Sequence, residues 1–249
     1  MACGGCFVGF LGIAKPRKEG KITLGYWGIR GLGAPFRMLL TYVGADYEDK
    51  QYTTGTDWFQ EDKPAIQAKS PLANLPYMTD GDVTVCQTNA IFEYLGDRFG
   101  IGGETMEERR RNREMLCEIY DLRNEIIMLV YPFKAVCRDK EEFMTKMTAH
   151  LTEGCKKSYD KIDKFIAAGG GPYTCGRKLV AADFHVWEML DQHEVYAAAY
   201  GQPSPMKAYP RLQSFHAGIK SAPQLARYFA SDASKLPCNA GIAYTAGAC

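Results

Sequence analysis

Tyr26 is the residue whose type and position point most directly to chemistry. It ends a short predicted strand, and three glycines and Pro35 then lead into a predicted helix, where a proline suits the first turn. A phenolic hydroxyl that donates to sulfur beside a helix N-terminus would lower the pKa of a bound thiol from about 8.5. Since only the thiolate attacks electrophiles well, this position would suit a thiol-activating site, but the residue taken alone does not establish one. The alternative is that Tyr26 is a half-buried aromatic residue of the strand.

The spacing of cysteines and histidines favours neither redox nor metal chemistry. Cys3 and Cys6 form a C-x-x-C pair, but thioredoxin-type enzymes carry that pair after the first strand, where Tyr26 and Trp27 stand here. A zinc site would need a second pair of ligands, and the sequence holds none. The histidines stand singly in predicted helices, at His150, His185, His193 and His216. We therefore expect no metal site.

Composition narrows the class of protein further. Lys and Arg total 30 and Asp and Glu total 29, so the net charge predicts no nucleic-acid partner. Nine scattered cysteines are an odd number, which indicates a reducing compartment rather than a disulfide framework. No apolar run approaches the roughly 20 residues that span a bilayer, and no positive charge precedes the apolar stretch at 6–14, as a secretory signal requires. We expect a cytoplasmic protein.

The elements that must position Tyr26 form a small α/β unit. Its order is β-α-β followed by β-β-α, and Asp80 and Gly81 are a strong signal for the two-residue turn of the hairpin. The predicted strands lie at 21–26, 47–52, 75–78 and 83–86, the helices at 35–43 and 88–99, and one or two helical turns in the loop at 53–75.

After a break at 100–103 the strand signals largely vanish. Thr105 and Glu108 form a capping-box pattern that opens a long helix, and Glu141–Ile166 is predicted as a second one. Three more predicted helices lie at 183–199, 210–219 and 223–230. The chain is therefore divided into a flexible tail at 1–20, an α/β domain at 21–100, an all-helical domain at 105–232 and a C-terminal tail at 233–249.

Six short motifs occur in the order found in one known family. They are Leu24-Gly-Tyr-Trp-Gly-Ile-Arg-Gly-Leu32, Asn74-Leu-Pro-Tyr77, Gln87-Thr-Asn-Ala-Ile91, Gly103-Glu-Thr105, Ala182-Asp-Phe184 and Tyr209-Pro-Arg-Leu212. As a set they resemble the cytosolic glutathione S-transferases, the mu class more than the sigma class, over about residues 21–235. The resemblance implies a thioredoxin-like α/β N-terminal domain, an all-α C-terminal domain and glutathione as co-substrate.

The resemblance also assigns roles along the glutathione molecule. Tyr26 would activate the thiol, and Leu75, turned outward by a cis bond to Pro76, would pair its backbone with the cysteinyl unit. Gln87 and Thr88 would hold the γ-glutamyl group at a helix N-terminus. The remaining glutathione contacts would come from Trp27, Leu32, Trp58, Asn74 and a lysine.

The end of the site that would hold the glycyl group departs from the mu pattern. Gly55 stands where an arginine is expected before Trp58, and Asp62 stands where a lysine is expected. Lys63 or Lys69 must then supply the positive charge, and the sequence does not choose between them.

In the helical domain the resemblance makes Asp121 an acid that reaches the γ-glutamyl amine of the partner subunit in a homodimer. Tyr131 would donate a hydrogen bond to the electrophile as charge develops on it. A solvated aspartate and a core tyrosine are the alternatives, and Asp183 is interpreted as structural. The electrophile site would be lined by Ile29, Leu32, Thr54, Tyr120 and Asn124.

Two residues of the sequence concern the interface of a homodimer. Leu72 and Glu93 stand where mu enzymes carry an aromatic key and an arginine of the dimer interface, so the contacts of a homodimer would differ from that pattern.

Cys3, Cys6 and an apolar stretch, followed by a basic run at 15–18, resemble a weak two-signal membrane anchor in which acylation supplies one signal. The alternative for residues 1–18 is a disordered tail.

The leading hypothesis from the sequence is detoxifying conjugation of the glutathione thiolate to hydrophobic electrophiles. One alternative is a sigma-like, glutathione-dependent isomerase of the prostaglandin type. Another is a catalytically retired scaffold or ligand carrier. The presence of the family residues Tyr26, Pro76 and Gln87 argues against a loss of catalytic activity. The altered contacts to the glycyl group argue mildly for such a loss.

Overall fold

The computed structural model describes residues 20–247, and its first half is built on a four-stranded mixed sheet. Strands β1 (Ile22–Trp27), β2 (Tyr47–Tyr52), β3 (Tyr77–Asp80) and β4 (Val83–Cys86) lie in the order β2-β1-β3-β4. β1 pairs parallel with β2 and antiparallel with β3, and β3 pairs antiparallel with β4. The N-terminal tail and its proposed anchor lie outside the described residues.

Helices make up most of the rest of the described chain. Three accompany the sheet: α1 (Gly33–Tyr42), α2 (Lys63–Lys69) and α3 (Thr88–Phe99). Six follow it: α4 (Met106–Val130), α5 (Lys140–Ala149), α6 (Lys156–Ala168), α7 (Ala181–Ala199), α8 (Pro210–Lys220) and α9 (Ala226–Ala230). The predicted fold class, an α/β half followed by an all-α half, is confirmed.

The register of β1 places Tyr26 on the face of the strand opposite to the Tyr77 ring. Gly25 lies opposite Tyr77 of β3, and a Cβ at Gly25 would come within 2.1 Å of Tyr77 Cε1. Glycine is therefore required for the Tyr77 ring to lie across β1. Because side chains alternate along a strand, Tyr26 points to the opposite face, towards the loop that leads into α1.

Two predicted features at helix starts are confirmed. In the capping box of α4, Glu108 N donates to Thr105 Oγ1 at 3.1 Å and Thr105 N donates to Glu108 Oε2 at 2.9 Å. Asp183 accepts from the backbone N–H groups of Val180 at 2.8 Å and Thr174 at 3.0 Å. Burial raises the pKa of Asp183 to about 6, and its contacts make it structural.

The helix predicted as Glu141–Ile166 is wrong in its continuity. The structure has α5, then a π-helical turn at His150–Gly154, then α6. Such a turn holds more residues than an α-helical one and redirects the chain, and His150 at its start faces His193, with 3.1 Å between the two Nε2 atoms. The helix predicted at 223–230 likewise starts as a 3-10 turn and is α-helical only from Ala226.

One hydrophobic core joins both halves of the described chain. Leu24 of β1 and Phe36 of α1 belong to the same buried cluster as Phe184 and Leu190 of α7. The ring centroids of Tyr42 and Phe184 lie 5.4 Å apart. The loop between β1 and α1 is therefore held at a fixed position relative to α4 and α7. No helix between residues 20 and 247 is long and apolar enough to cross a membrane.

Candidate active site

Tyr26 lies in a small apolar cluster between the sheet and the helical half. Its side chain is 4% exposed and packs with Ile29 and Leu32, and Leu75 and Tyr120 close the cluster from the side. Within the described residues its hydroxyl makes no hydrogen bond. Apolar contacts thus hold the ring of Tyr26 in place, while its hydroxyl can still donate a hydrogen bond to a bound group.

Two glycines of the loop after β1 let the backbone wrap around the Tyr26 ring. Gly31 has φ +36°, and a Cβ there would come within 2.7 Å of the Tyr26 hydroxyl oxygen. A Cβ at Gly33, the first residue of α1, would come within 2.6 Å of Tyr26 Cδ1. The hydroxyl therefore lies at the start of α1, where the helix dipole favours negative charge.

Two buried arginines that the sequence reading missed hold this loop in place. Arg37 of α1 donates to the carbonyls of Ile29 at 2.7 Å and Trp27 at 3.2 Å, and its Nε lies 2.9 Å from Asp49. Arg30 pairs with Glu188 at 3.0 Å across the boundary to α7. The available signal was a positive charge inside an apolar stretch, since buried arginines are almost always paired.

A second carboxylate that pairs with Arg30 strengthens the link between the loop and α7. Arg30 Nη2 lies 2.6 Å from Asp191, and Glu188 also accepts from Gln192 at 2.7 Å. The paired carboxylates raise the pKa of Arg30 even though burial acts against its charge. Removing one member of such a buried cluster would leave a charge without a partner, so the network fixes the loop beside Tyr26.

Tyr131 follows the last residue of α4 and interacts electrostatically with Tyr26. Its hydroxyl accepts from the backbone N–H of Ala240 at 3.2 Å, and its ring stacks on Phe133 with centroids 5.0 Å apart. Burial raises the pKa of Tyr131, and the nearby Tyr26 hydroxyl adds to the effect. Contacts with Ala240 and Phe133 therefore hold Tyr131 at the end of α4.

Residues 236–247 form a C-terminal strap that is bonded to the loop after β1 and to the end of α4. Arg30 N donates to the carbonyl of Pro237 at 2.8 Å, and Gly31 N donates to that of Cys238 at 3.1 Å. Further along, Tyr244 N donates to Val130 O at 2.9 Å. The strap thus connects the loop that wraps Tyr26 with the end of α4 that carries Tyr131. The sequence reading treated this segment only as a tail.

The segment predicted to hold the cysteinyl and γ-glutamyl groups lies beside Tyr26. The Leu75–Pro76 bond is cis, as predicted, and the side chain of Leu75 packs into the Tyr26 cluster. The Leu75 N–H donates to Asn74 Oδ1 at 2.9 Å. Gln87 has φ +79°, and Thr88 is buried as the first residue of α3. Gln87 and Thr88 therefore stand at a helix start, whose first backbone N–H groups have no partner within the helix.

Two family models match the chain, the N-terminal domain of glutathione S-transferase over residues 22–97 and the C-terminal domain over residues 120–232. Glutathione S-transferase Mu 1 of Oryctolagus cuniculus is 32% identical over 214 residues, which cover 84% of this chain and 91% of that protein. Glutathione S-transferase Mu 6 of Mus musculus is 35% identical over 214 residues, covering 83% and 89%. The chain belongs to the glutathione S-transferase family.

The solved structures agree with this assignment at the level of the fold. A pi-class glutathione S-transferase of Onchocerca volvulus superposes with a TM-score of 0.73 at 24% identity, covering 90% of this chain and 99% of that one. The predicted resemblance to the mu class is confirmed by the curated relatives. As a member of this family the protein is an enzyme that uses glutathione as co-substrate.

In this transferase, the region predicted to hold the glycyl group is more aromatic than the sequence suggested. Trp58 is 1% exposed and stacks on Tyr77 with centroids 5.6 Å apart. Asp62, at the place of the expected lysine, accepts from the Tyr52 hydroxyl at 2.6 Å and pairs with Lys50 at 2.5 Å. Its charge is thereby balanced within the fold.

The two candidate lysines occupy opposite ends of α2. The Lys63 ammonium lies 5.4 Å from the centroid of Phe59, and the Phe59 ring lies 6.2 Å from that of Trp27. Lys69 is exposed in the last turn of α2. Only Lys63 is thus connected by described contacts to another predicted glutathione residue.

Only some of the residues predicted to line the electrophile site lie beside Tyr26. Ile29, Leu32 and Tyr120 belong to its cluster. Thr54, by contrast, is exposed and accepts from the backbone N–H of Asp57 at 3.3 Å. Asn124 and Asp121 line a separate surface cleft between α4 and α6, with a volume of about 430 Å³. Phe133, which is 66% exposed beside Tyr131, is an apolar residue that the sequence reading did not include.

Proposed function

We propose that this transferase conjugates the glutathione thiolate to hydrophobic electrophiles and that Tyr26 activates the thiol. The observation that carries the proposal is the free hydroxyl of Tyr26, held at the start of α1. A donor in this position favours the thiolate over the thiol, and the helix dipole acts in the same direction.

Each neighbouring element contributes one function in this proposal. The backbone of Leu75 binds the cysteinyl unit, which requires Asn74 to release the Leu75 N–H. Gln87 and Thr88 bind the γ-glutamyl group at the start of α3, where helix N–H groups favour a carboxylate. The sulfur is then directed towards Tyr26, and the surrounding apolar side chains exclude water.

Tyr131 acts on the second substrate. Because Ala240 donates to its oxygen, the phenolic proton remains available to donate in turn. Charge that develops on the electrophile would be stabilised by this donor in an apolar site. Ile29, Leu32, Tyr120 and Phe133 provide the apolar surface on which such an electrophile binds.

The test is the Tyr26→Phe variant assayed with glutathione and 1-chloro-2,4-dinitrobenzene. Loss of the donor should lower kcat/KM at least about tenfold, the scale of one charge-assisted hydrogen bond. The pH at half-maximal kcat/KM should rise, because the bound thiol would lose the group that lowers its pKa. Glutathione affinity, measured by calorimetry, should change little.

Tyr42→Phe is the matched control, since it removes a hydroxyl that has no partner within the described residues and lies away from the Tyr26 cluster. Full activity and an unchanged pH profile in Tyr26→Phe would overturn the assignment. Turnover of a prostaglandin endoperoxide without activity on the aryl halide would favour the isomerase. Glutathione binding without any turnover would favour the carrier.

We also propose that the enzyme is a homodimer in which Asp121 completes the site of the partner. Asp121 is exposed in the cleft between α4 and α6, and Leu72 is a large apolar residue that is 64% exposed. Both observations support a protein surface that a second copy covers. A monomeric mass in solution at micromolar concentration would contradict this proposal.

For location we propose the cytoplasm, as the cysteine usage suggests. Reversible membrane attachment through acylation of residues 1–18 is a finer proposal that concerns residues outside the structure. Cell fractionation of the full chain and of a variant lacking residues 1–20 tests both. Equal soluble fractions for the two proteins would reject the attachment.

A further inference from the structure

A row of buried polar side chains follows one face of α7. Glu188, Gln192 and Tyr196 are spaced four residues apart, so they lie on the same side of the helix. Glu188 and Tyr196 are fully buried, and Gln192 is 3% exposed. Because a buried polar group without a partner costs free energy, the partners of these three side chains decide what the row does.

The row is a continuous chain of hydrogen bonds that starts at an ion pair. Arg30 of the loop after β1 pairs with Glu188, and Gln192 Nε2 donates to Glu188 Oε1 at 2.7 Å. The Tyr196 hydroxyl in turn donates to Gln192 Oε1 at 3.4 Å. Since Tyr196 uses its own proton on Gln192, its oxygen can still accept from a donor elsewhere in the chain.

That donor belongs to the C-terminal strap. Asn239 Nδ2 donates to the Tyr196 oxygen at 2.6 Å and to Thr245 Oγ1 at 3.1 Å. Asn239 and Thr245 are both buried. One amide group therefore joins the strap to α7 and also ties together two positions within the strap.

Asn239 directly precedes the residue that contacts Tyr131. Ala240 N donates to the Tyr131 hydroxyl oxygen at 3.2 Å. On the other side of Asn239, Pro237 O accepts from Arg30 N at 2.8 Å. Because neighbouring Cα atoms lie only about 3.8 Å apart, the bond between Asn239 and α7 sets where the Ala240 N–H lies.

The position of the Ala240 N–H affects Tyr131 as a hydrogen-bond donor. Burial raises the pKa of Tyr131, and the bond from Ala240 acts against that rise. Hydrogen bonds in a chain polarise one another, so a phenol that accepts one bond donates a stronger one. A shift of the strap would therefore weaken Tyr131 although its own side chain is intact.

We propose that Tyr196 and Asn239 are positioning residues for the conjugation reaction. Their hydrogen bond holds the strap so that Ala240 supports Tyr131 in stabilising the charge on the electrophile. The proposal rests on the function proposed above for Tyr131. The effect of both residues passes through Tyr131 and leaves thiol activation at Tyr26 unchanged.

The test is the Tyr196→Phe variant, which removes the hydroxyl and keeps the ring. Styrene oxide is the electrophile, because attack by the thiolate forms a C–S bond and breaks a C–O bond, which leaves an alkoxide that needs a donor until water protonates it. We expect kcat/KM for the epoxide to fall about threefold or more, the scale of one hydrogen bond. The KM for glutathione and the pH at half-maximal kcat/KM should not change, since both belong to Tyr26 and its neighbours.

Tyr200→Phe is the matched control. Tyr200 follows the last residue of α7, and its buried hydroxyl has no partner within the described chain. This variant loses the same chemical group from the same helix and should keep full kcat/KM. Asn239→Ala, which removes the other half of the hydrogen bond, should reproduce the loss seen in Tyr196→Phe.

A double-mutant cycle decides whether the effect passes through Tyr131. In a chain that carries Tyr131→Phe, adding Tyr196→Phe should cause no further loss of kcat/KM, because two changes that remove one interaction are not additive. Additive losses, or full activity in Tyr196→Phe, would overturn the proposal. Tyr26→Phe is assayed in parallel, and full activity in that variant alone would contradict thiol activation but not this positioning role.

Discussion

At the scale of residues, the place of Tyr26 between a strand and a helix could be predicted, but the groups that hold it there could not. The type of the residue and its place between a strand and a helix are local properties of the sequence. Arg30 and Arg37, by contrast, are positioned by Glu188 and Asp49, which lie 158 and 12 residues away. A buried arginine has no periodic signal, because its position depends on a partner that only the folded chain brings near.

The choice between Lys63 and Lys69 is a prediction at the same scale. Lys63 lies over Phe59, which contacts Trp27, whereas Lys69 is exposed at the end of α2. Lys63→Met should raise the KM for glutathione about fivefold or more, since it removes a charge that pairs with the glycyl carboxylate. Lys69→Met is the matched control and should change that KM by less than about twofold. A larger effect at Lys69, measured by steady-state kinetics, would reverse the assignment.

At the scale of elements, local patterns predicted the strands, most helices and the capping box at Thr105. They did not predict the π-helical turn at His150 or the C-terminal strap. The strap has no apolar period, and its position depends on backbone hydrogen bonds to Arg30, Gly31 and Val130. Side chains also fix it, since Asn239 donates to the Tyr196 hydroxyl at 2.6 Å and Tyr244 stacks on Phe143. These partners lie far away along the chain, so the local sequence carries no sign of them.

The strap gives a prediction about the second substrate. Deletion of residues 237–249 removes the donor to Tyr131 and uncovers the apolar side chains near it. The KM for an apolar electrophile should rise at least about threefold, because less apolar surface is buried on binding. The KM for glutathione, whose predicted contacts lie outside the deleted residues, should stay within about twofold and serves as the internal control. An unchanged electrophile KM would mean that the strap does not form part of that site.

At the scale of the whole molecule, the shared core contains polar groups that the function does not use. His193 is fully buried, and its Nδ1–H donates to the carbonyl of Met189 at 2.6 Å. Its Nε2 therefore accepts from His150 across the 3.1 Å contact, so this pair holds together only while His193 is neutral. Burial lowers the pKa of His150 to about 4 and that of His193 to about 3.

These buried histidines predict a loss of stability in acid. In the unfolded chain each would bind a proton near pH 6.5, whereas the folded chain resists protonation until about pH 4 or below. Their contribution is therefore complete above pH 6.5 and decreases as the pH falls from 6.5 towards 4. The free energy of unfolding should fall by a few kcal/mol over this range.

In the His150→Gln variant, the glutamine does not titrate, so the free energy of unfolding should fall less steeply with decreasing pH. Tyr200→Phe, which removes a buried hydroxyl without a partner, should retain the slope of the unmodified chain. Urea unfolding at pH 7, 6, 5 and 4 measures these slopes, and an identical slope for His150→Gln would show that the histidine pair is not responsible.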